Sequence, residues 1–146
     1  MRTFETTSTR IIVSRPPLVL DAAYVGRLNA LAAAELHGAS RLARLLRQEA
    51  AHVAVLPSDR MPADVVNFGS DVTYRDEDVG AAYTVTLVMP HEADIHRGRV
   101  SVLTPVGTAL VGRSEGAKVD CEFPAGQMRE LTVLRVQPPS RVRRVD

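Results

Sequence analysis

The chain has 146 residues, enough for one compact domain plus an appendage. Apolar residues at 45% and charged residues at 24% are ordinary for a globular protein, and a net charge of +1 excludes dominant electrostatic binding to free nucleic acid. The charge is unevenly spread. Residues 1–60 carry 8 Lys/Arg against 5 Asp/Glu, residues 61–137 carry 7 against 11, and residues 138–146 carry 3 Arg against Asp146. An acidic body behind a mildly basic first part suits contact with protein better than wrapping of DNA. Cys121 is the only cysteine, so no internal disulfide can form, and a cytoplasmic home is expected. No apolar run approaches the roughly 18–20 residues that cross a bilayer, and MRTFETTSTR lacks an apolar secretory core. No membrane partner is expected.

In chain order, residues 1–17 read as a flexible lead, rich in Thr, Ser and Arg and closed by Pro16-Pro17, with Ile11–Val13 as a candidate short strand. Asp21–Leu36 reads as a helix with Asp21 as N-cap and Tyr24, Leu28, Leu31 and Ala32 on one face. Gly38 stands where a left-handed C-cap is wanted. A second helix is expected from about Ser40 to about Val53, with Leu42, Leu45, Leu46 and Val53 as its apolar stripe and Arg41, Arg44 and Arg47 opposite. The two helices fold back as an antiparallel hairpin over residues 18–56, each arm at most about 24 Å long at ~1.5 Å rise per residue. About two heptads per arm make a thin coiled coil, so the hairpin is expected to lean on the rest of the chain.

Residues 57–66 read as a linker bracketed by prolines. The periodicity then changes from helical to alternating. Strands are expected at Asp71–Arg75, Tyr83–Met89, Arg99–Leu103, Lys118–Phe123 and Leu131–Val136, with one short helix at Pro105–Leu110, where Pro suits the first helical position. This second domain, residues 67–137, is an α+β layer of an antiparallel sheet with one short helix, and residues 138–146 form an Arg-rich tail expected to be disordered.

Across Asn67–Val136 several pieces stand in a fixed order: an early apolar-Gly-x-x-Val strand, the Glu-Ala-Asp loop at 92–94, Gly-Arg-x-Ser-Val, Pro-x-Gly-x-Ala-Leu-x-Gly at 105–112, and a Pro-x-Gly hairpin. Each piece alone is weak, but the series resembles the C-terminal domain of the Gre factors of RNA polymerase. RPPLVLDAAYVGRLNAL at 15–31 and RMPADVV at 60–66 resemble the short-armed branch of that family, typified by the regulator of nucleoside diphosphate kinase (Rnk). The resemblance implies a sheet domain like that of FK506-binding proteins. It also implies docking on RNA polymerase at its secondary channel, with the sheet domain outside and the hairpin pointing inward. The contacts it suggests are Glu92, Asp94, Ser101 and Pro105 in the sheet domain, and Glu35, Arg41 and Arg44 in the hairpin.

Gre factors carry two acidic residues at the hairpin tip, which help hold a second Mg²⁺ for transcript cleavage. The tip here, Glu35-Leu36-His37-Gly38-Ala39-Ser40, offers one. The expectation is therefore a non-enzymatic factor that occupies the channel without cutting, with no cofactor, no metal and no sequence-specific contact to nucleic acid. A cleavage-stimulating elongation factor is the alternative. Glu35 could instead pair with Arg41 across the turn, Asp94 could merely bond to local amides, and the arginines could form a plain solvated face. His91, Glu92, Asp94 and His96 match no compact metal-ligand spacing. A prolyl isomerase, the other activity the implied fold hosts, needs an aromatic-lined pocket that three Tyr, three Phe and no Trp scarcely supply.

Overall fold

The computed structural model describes residues 17–139; the candidate strand at Ile11–Val13, the lead before Pro17 and the tail from Ser140 lie outside the described residues. The chain opens with β1 (Leu18–Asp21) and the hairpin helices α1 (Ala22–Ala33) and α2 (Ala39–Gln48), then returns through β2 (Val53–Leu56). Five further strands follow: β3 (Asp71–Asp76), β4 (Ala81–Val88), β5 (Arg99–Ser101), β6 (Lys118–Glu122) and β7 (Met128–Gln137), with α3 (Pro105–Leu110) between β5 and β6. They form one sheet in the order β5-β4-β3-β7-β6. All neighbours are antiparallel except β4 and β5, which run parallel from Thr86↔Arg99 to Val88↔Ser101.

Alternation built this sheet. In β3, Val72, Tyr74 and Asp76 face inward while Asp71 and Arg75 face solvent. Val72, Leu87, Leu131 and Val133 are fully buried in one cluster with Leu110 of α3. Gly107 allows the helix to sit this close, because a Cβ there would lie 2.1 Å from the Ser101 carbonyl oxygen. Thr104 caps α3: its Oγ1 accepts from the Gly107 amide at 3.0 Å and donates to the Ser101 carbonyl at 2.7 Å.

The hairpin is shorter than its sequence suggests. Asp21 caps α1 as expected, accepting from the Ala23 amide at 2.9 Å. The helix stops at Ala33, because Ala34 is extended at φ −81°, ψ 159°. Gly38 is left-handed at φ 90°, but it starts α2 rather than ending α1. With 12 and 10 residues the arms measure about 18 and about 15 Å. Val53, expected on the helix, instead pairs with Leu18 in a two-stranded parallel sheet, β1 with β2.

The hairpin and the sheet share one core. Leu28 and Leu42 lie in the same buried cluster as Val72, Leu110 and Val133. Burying a leucine contributes about 1.5–3 kcal/mol, so these two side chains alone hold the hairpin down appreciably. Backbone bonds stitch the seam: the Val19 amide donates to the Gly112 carbonyl at 3.0 Å, and the Gly112 amide to the Val66 carbonyl at 2.9 Å. Residues 57–66, read as a linker, are thereby tied down, with Val65 and Val66 buried. Asp21 binds three parts of the chain at once. Besides its cap it accepts from Ser58 Oγ at 2.6 Å and Asn67 Nδ2 at 2.9 Å.

Candidate functional site

The loop between β4 and β5 is two 3-10 turns, Pro90–Glu92 and Ile95–Arg97. Asp94 organises it. Its Oδ1 accepts from the His96 amide at 3.1 Å, its Oδ2 lies 3.7 Å from Arg97 Nε, and its backbone exchanges two bonds with Arg99, at 3.0 and 2.9 Å. Gly98 closes the turn at φ 70°, where a Cβ is strained. The local-amide reading of Asp94 therefore holds, and the result is a braced loop that holds Ile95 out at 84% exposure. Ile95 went unremarked in the sequence because an isolated Ile in a polar stretch carries no period.

Ser101 lies further in, at the floor of a depression it lines with Leu36 and Pro105. It is buried, and its hydroxyl accepts from the Leu103 amide at 3.0 Å, shaping the joint that leads into α3. Pro105 is half-buried and borders a shallow depression of about 350 Å³ together with Leu36, His37, Pro90 and Leu103. Glu92 is exposed on the loop beside Arg99 and His91. No group of three or more His, Cys, Asp and Glu that could hold a metal occurs among the described residues.

The hairpin residues fall differently from expectation. Glu35 is exposed in the turn and does not pair with Arg41. Arg41 instead donates through Nη1 to the Leu103 carbonyl at 2.8 Å. Arg44 donates through Nη1 to Glu122 Oε1 at 2.6 Å. Two arginines of the stripe thus reach the sheet domain, although Arg44 and Arg47 stay exposed; α2 buries Leu42 there, which brings Arg41 and Arg44 close to it. Glu49, at the end of α2, makes a buried ion pair with Arg113 at 3.5 Å, again across the seam. Sequence reasoning passed over this pair, because two charges 64 positions apart give no local signal.

The described aromatic rings are dispersed. Tyr24 packs on Phe68 at 4.7 Å, Tyr74 on Tyr83 at 5.6 Å, and Phe123 sits under Arg129 at 4.8 Å. A cleft of about 390 Å³ is bordered by Tyr24 and Phe68 amid Arg27, Asp71, His91 and Arg99. That is a polar cleft, unlike the apolar proline pocket an isomerase needs.

Residues 61–138 match the family described as "Transcription elongation factor, GreA/GreB, C-term". The chain is 45% identical over 74 residues to the transcription elongation factor GreA of Desulfovibrio desulfuricans, covering 51% of this chain and 46% of that one. It is 33% identical over 111 residues to GreA of Azorhizobium caulinodans, covering 71% and 70%. A solved structure, the prokaryotic transcription elongation factor GreA/GreB from Nitrosomonas europaea, superposes with a TM-score of 0.63 at 27% identity, over 84% of this chain and 99% of that one. The chain spans about half the length of the first curated relatives it matches, 46% and 52%. These relatives correct the expectation of a non-enzymatic factor, since those matched are named GreA, elongation factors of the class that stimulates transcript cleavage. No helix among the described residues is long and apolar enough to cross a membrane. With a family match over more than half its length and the same hairpin-then-sheet architecture, the chain belongs to the GreA/GreB family of transcription elongation factors.

Proposed function

We propose that this protein is a Gre-type transcription elongation factor that binds RNA polymerase near its secondary channel and acts in transcript cleavage. Family membership supports the partner, and the names of the matched relatives support the activity. The observation that carries the docking half of the reading is the braced loop: Asp94 fixes its own turn through backbone bonds with Arg97 and Arg99 and a side-chain bond from the His96 amide, and so leaves Ile95 and Glu92 exposed to a partner. In this reading the sheet domain is like that of FK506-binding proteins, the hairpin is a short coiled coil, and the chain stands with the short-armed Rnk branch.

The chemistry available at the turn is narrow. Glu35 is the carboxylate of the 35–40 turn, and it is exposed. In transcript cleavage the metal and the RNA belong to the polymerase; a factor's carboxylate helps hold a second Mg²⁺ that activates the attacking water. Glu35 is the residue assigned that role here. The test is cleavage of the transcript in stalled, backtracked elongation complexes with and without the protein. Stimulated cleavage that Glu35→Ala abolishes supports the reading. An absence of stimulation at saturating protein refutes the cleavage role and leaves the docking role to be judged by binding.

A further inference from the structure

The small sheet at the base of the hairpin is closed on one side and open on the other. The Val19 amide donates to the Gly112 carbonyl at 3.0 Å, so in β1 the alternate residues Leu18 and Leu20 turn their main-chain groups towards β2. Leu18 lies beside Val53 and Leu20 beside Val55 in a parallel register. In that pattern Ala54 and Leu56 bond to β1, while the amides and carbonyls of Val53 and Val55 face the other way. Among the described residues no strand pairs with this second edge, and none of its four groups has a hydrogen-bond partner. The edge is Val-Ala-Val, uncharged and free of proline, and Val55 is 48% exposed. Such edges are ordinarily blunted by charge or proline, or covered by another segment.

The chain itself holds a segment that fits. Ile11-Ile12-Val13, outside the described residues, is β-branched throughout and ends four residues before Leu18. To reach the open edge from Leu18 the chain must cross two strand spacings, about 10 Å. The link is Ser14-Arg15-Pro16-Pro17. Two prolines hold such a link extended, and at ~3.1 Å per residue it spans about 12 Å. So short a tether gives the segment a local concentration in the millimolar range, above that of a second copy of the chain.

We infer that residues 11–13 add to β2 as an antiparallel third strand, with Val13 opposite Val53 and Ile11 opposite Val55. Each of these pairs exchanges two main-chain bonds, which satisfies all four free groups at once. The same register sets Ile11 against the exposed Val55, on the side of the sheet where Leu18 and Leu20 are buried. The lead thereby seals the base of the hairpin. This pairing does not depend on polymerase binding.

The experiment is amide hydrogen exchange, read residue by residue by NMR, on the full chain and on Ile11→Pro, at two protein concentrations tenfold apart. Proline at 11 removes the amide that donates to the Val55 carbonyl. The Leu87 amide, which donates to Ser70 in the sheet domain at 3.2 Å, reports that the variant is folded. The expected result is that Val53 and Val55 exchange about tenfold or more slowly in the parent than in Ile11→Pro, at both concentrations, with Leu87 unchanged. Fast exchange at Val53 and Val55 in the parent would overturn the pairing, because the edge is then open. Protection that survives Ile11→Pro would overturn it as well, since another group would then hold the edge. Protection that grows with concentration would assign the edge to a second copy and overturn the pairing within one chain.

Discussion

Replacing Gly38 with alanine tests the close contact of hairpin and sheet more sharply than any core truncation. Two costs arise. A non-glycine residue at φ 90° loses about 1–2 kcal/mol relative to glycine. The new Cβ would also lie 2.2 Å from the Leu103 oxygen. That atom is backbone, so it cannot swing aside as a side chain would, and the turn must lift. Lifting breaks the bond from Arg41 to Leu103, a charge-assisted contact of about 1.5–3 kcal/mol. Gly80→Ala is the matched control: φ is 74°, yet nothing lies within 4 Å of the added Cβ. It bears the backbone cost alone, and both substitutions stiffen the unfolded chain alike. Gly38→Ala is thus expected to destabilise by about 3–5 kcal/mol against about 1–2 for Gly80→Ala. At about 3 °C per kcal/mol for a chain of this size, that is a fall in Tm near 12 °C against near 5 °C. Urea unfolding and thermal melts measure both. If Gly38→Ala costs no more than Gly80→Ala, the turn does not rest on Leu103 and the account of the hairpin is wrong.

Three further outcomes follow from the same contacts. Asp21→Ala removes an N-cap and two side-chain bonds that join β1, the 57–66 stretch and Asn67, and should cost about 2–4 kcal/mol in urea unfolding; a loss under 1 would mean the three segments are held elsewhere. Arg113→Ala removes the cation that faces buried Glu49 across the seam and should cost about 3–5 kcal/mol, whereas replacing both partners, as in Arg113→Met with Glu49→Leu, should recover most of it; equal losses in the single and double variants would show that the pair is not coupled. Burial pushes the Cys121 thiol up to about 11, with Arg41 partly opposing, from a usual value of 9.0. The folded state therefore keeps a proton that the unfolded chain sheds. The stability this gives is complete below about pH 9 and disappears as pH rises towards about 11. Unfolding midpoints between pH 8 and 11 should fall more steeply for the parent chain than for Cys121→Ala, and parallel slopes would rule the thiol out.

The sheet was legible because its strands alternate. Asp71–Arg75 reads polar-apolar in strict turn, and Pro105 and Gly112 bracket α3 in the sequence as they do in the fold. The hairpin was legible in kind but not in extent. Val53 continues the leucine spacing of α2, so helical periodicity claimed it, whereas pairing with Leu18 across 35 positions removed it to β2. Periodicity also cannot say which side of a helix meets a neighbour across the chain. Arg41 and Arg44 stood opposite the leucines on paper, yet both bridge to the sheet domain. Of the candidate site, Glu92, Asp94 and Pro105 are residues that family resemblance names. The burial of Ser101, the exposure of Ile95 and the place of Leu36 depend on how the β5–α3 joint packs.

The most direct test of the central claim is competition for core RNA polymerase. A labelled long-armed Gre factor is bound to the enzyme, and the present chain is titrated in. Displacement to completion, with a midpoint set by the chain's own affinity, is the predicted result. Binding without displacement, or no binding at concentrations that saturate the labelled factor, would contradict it.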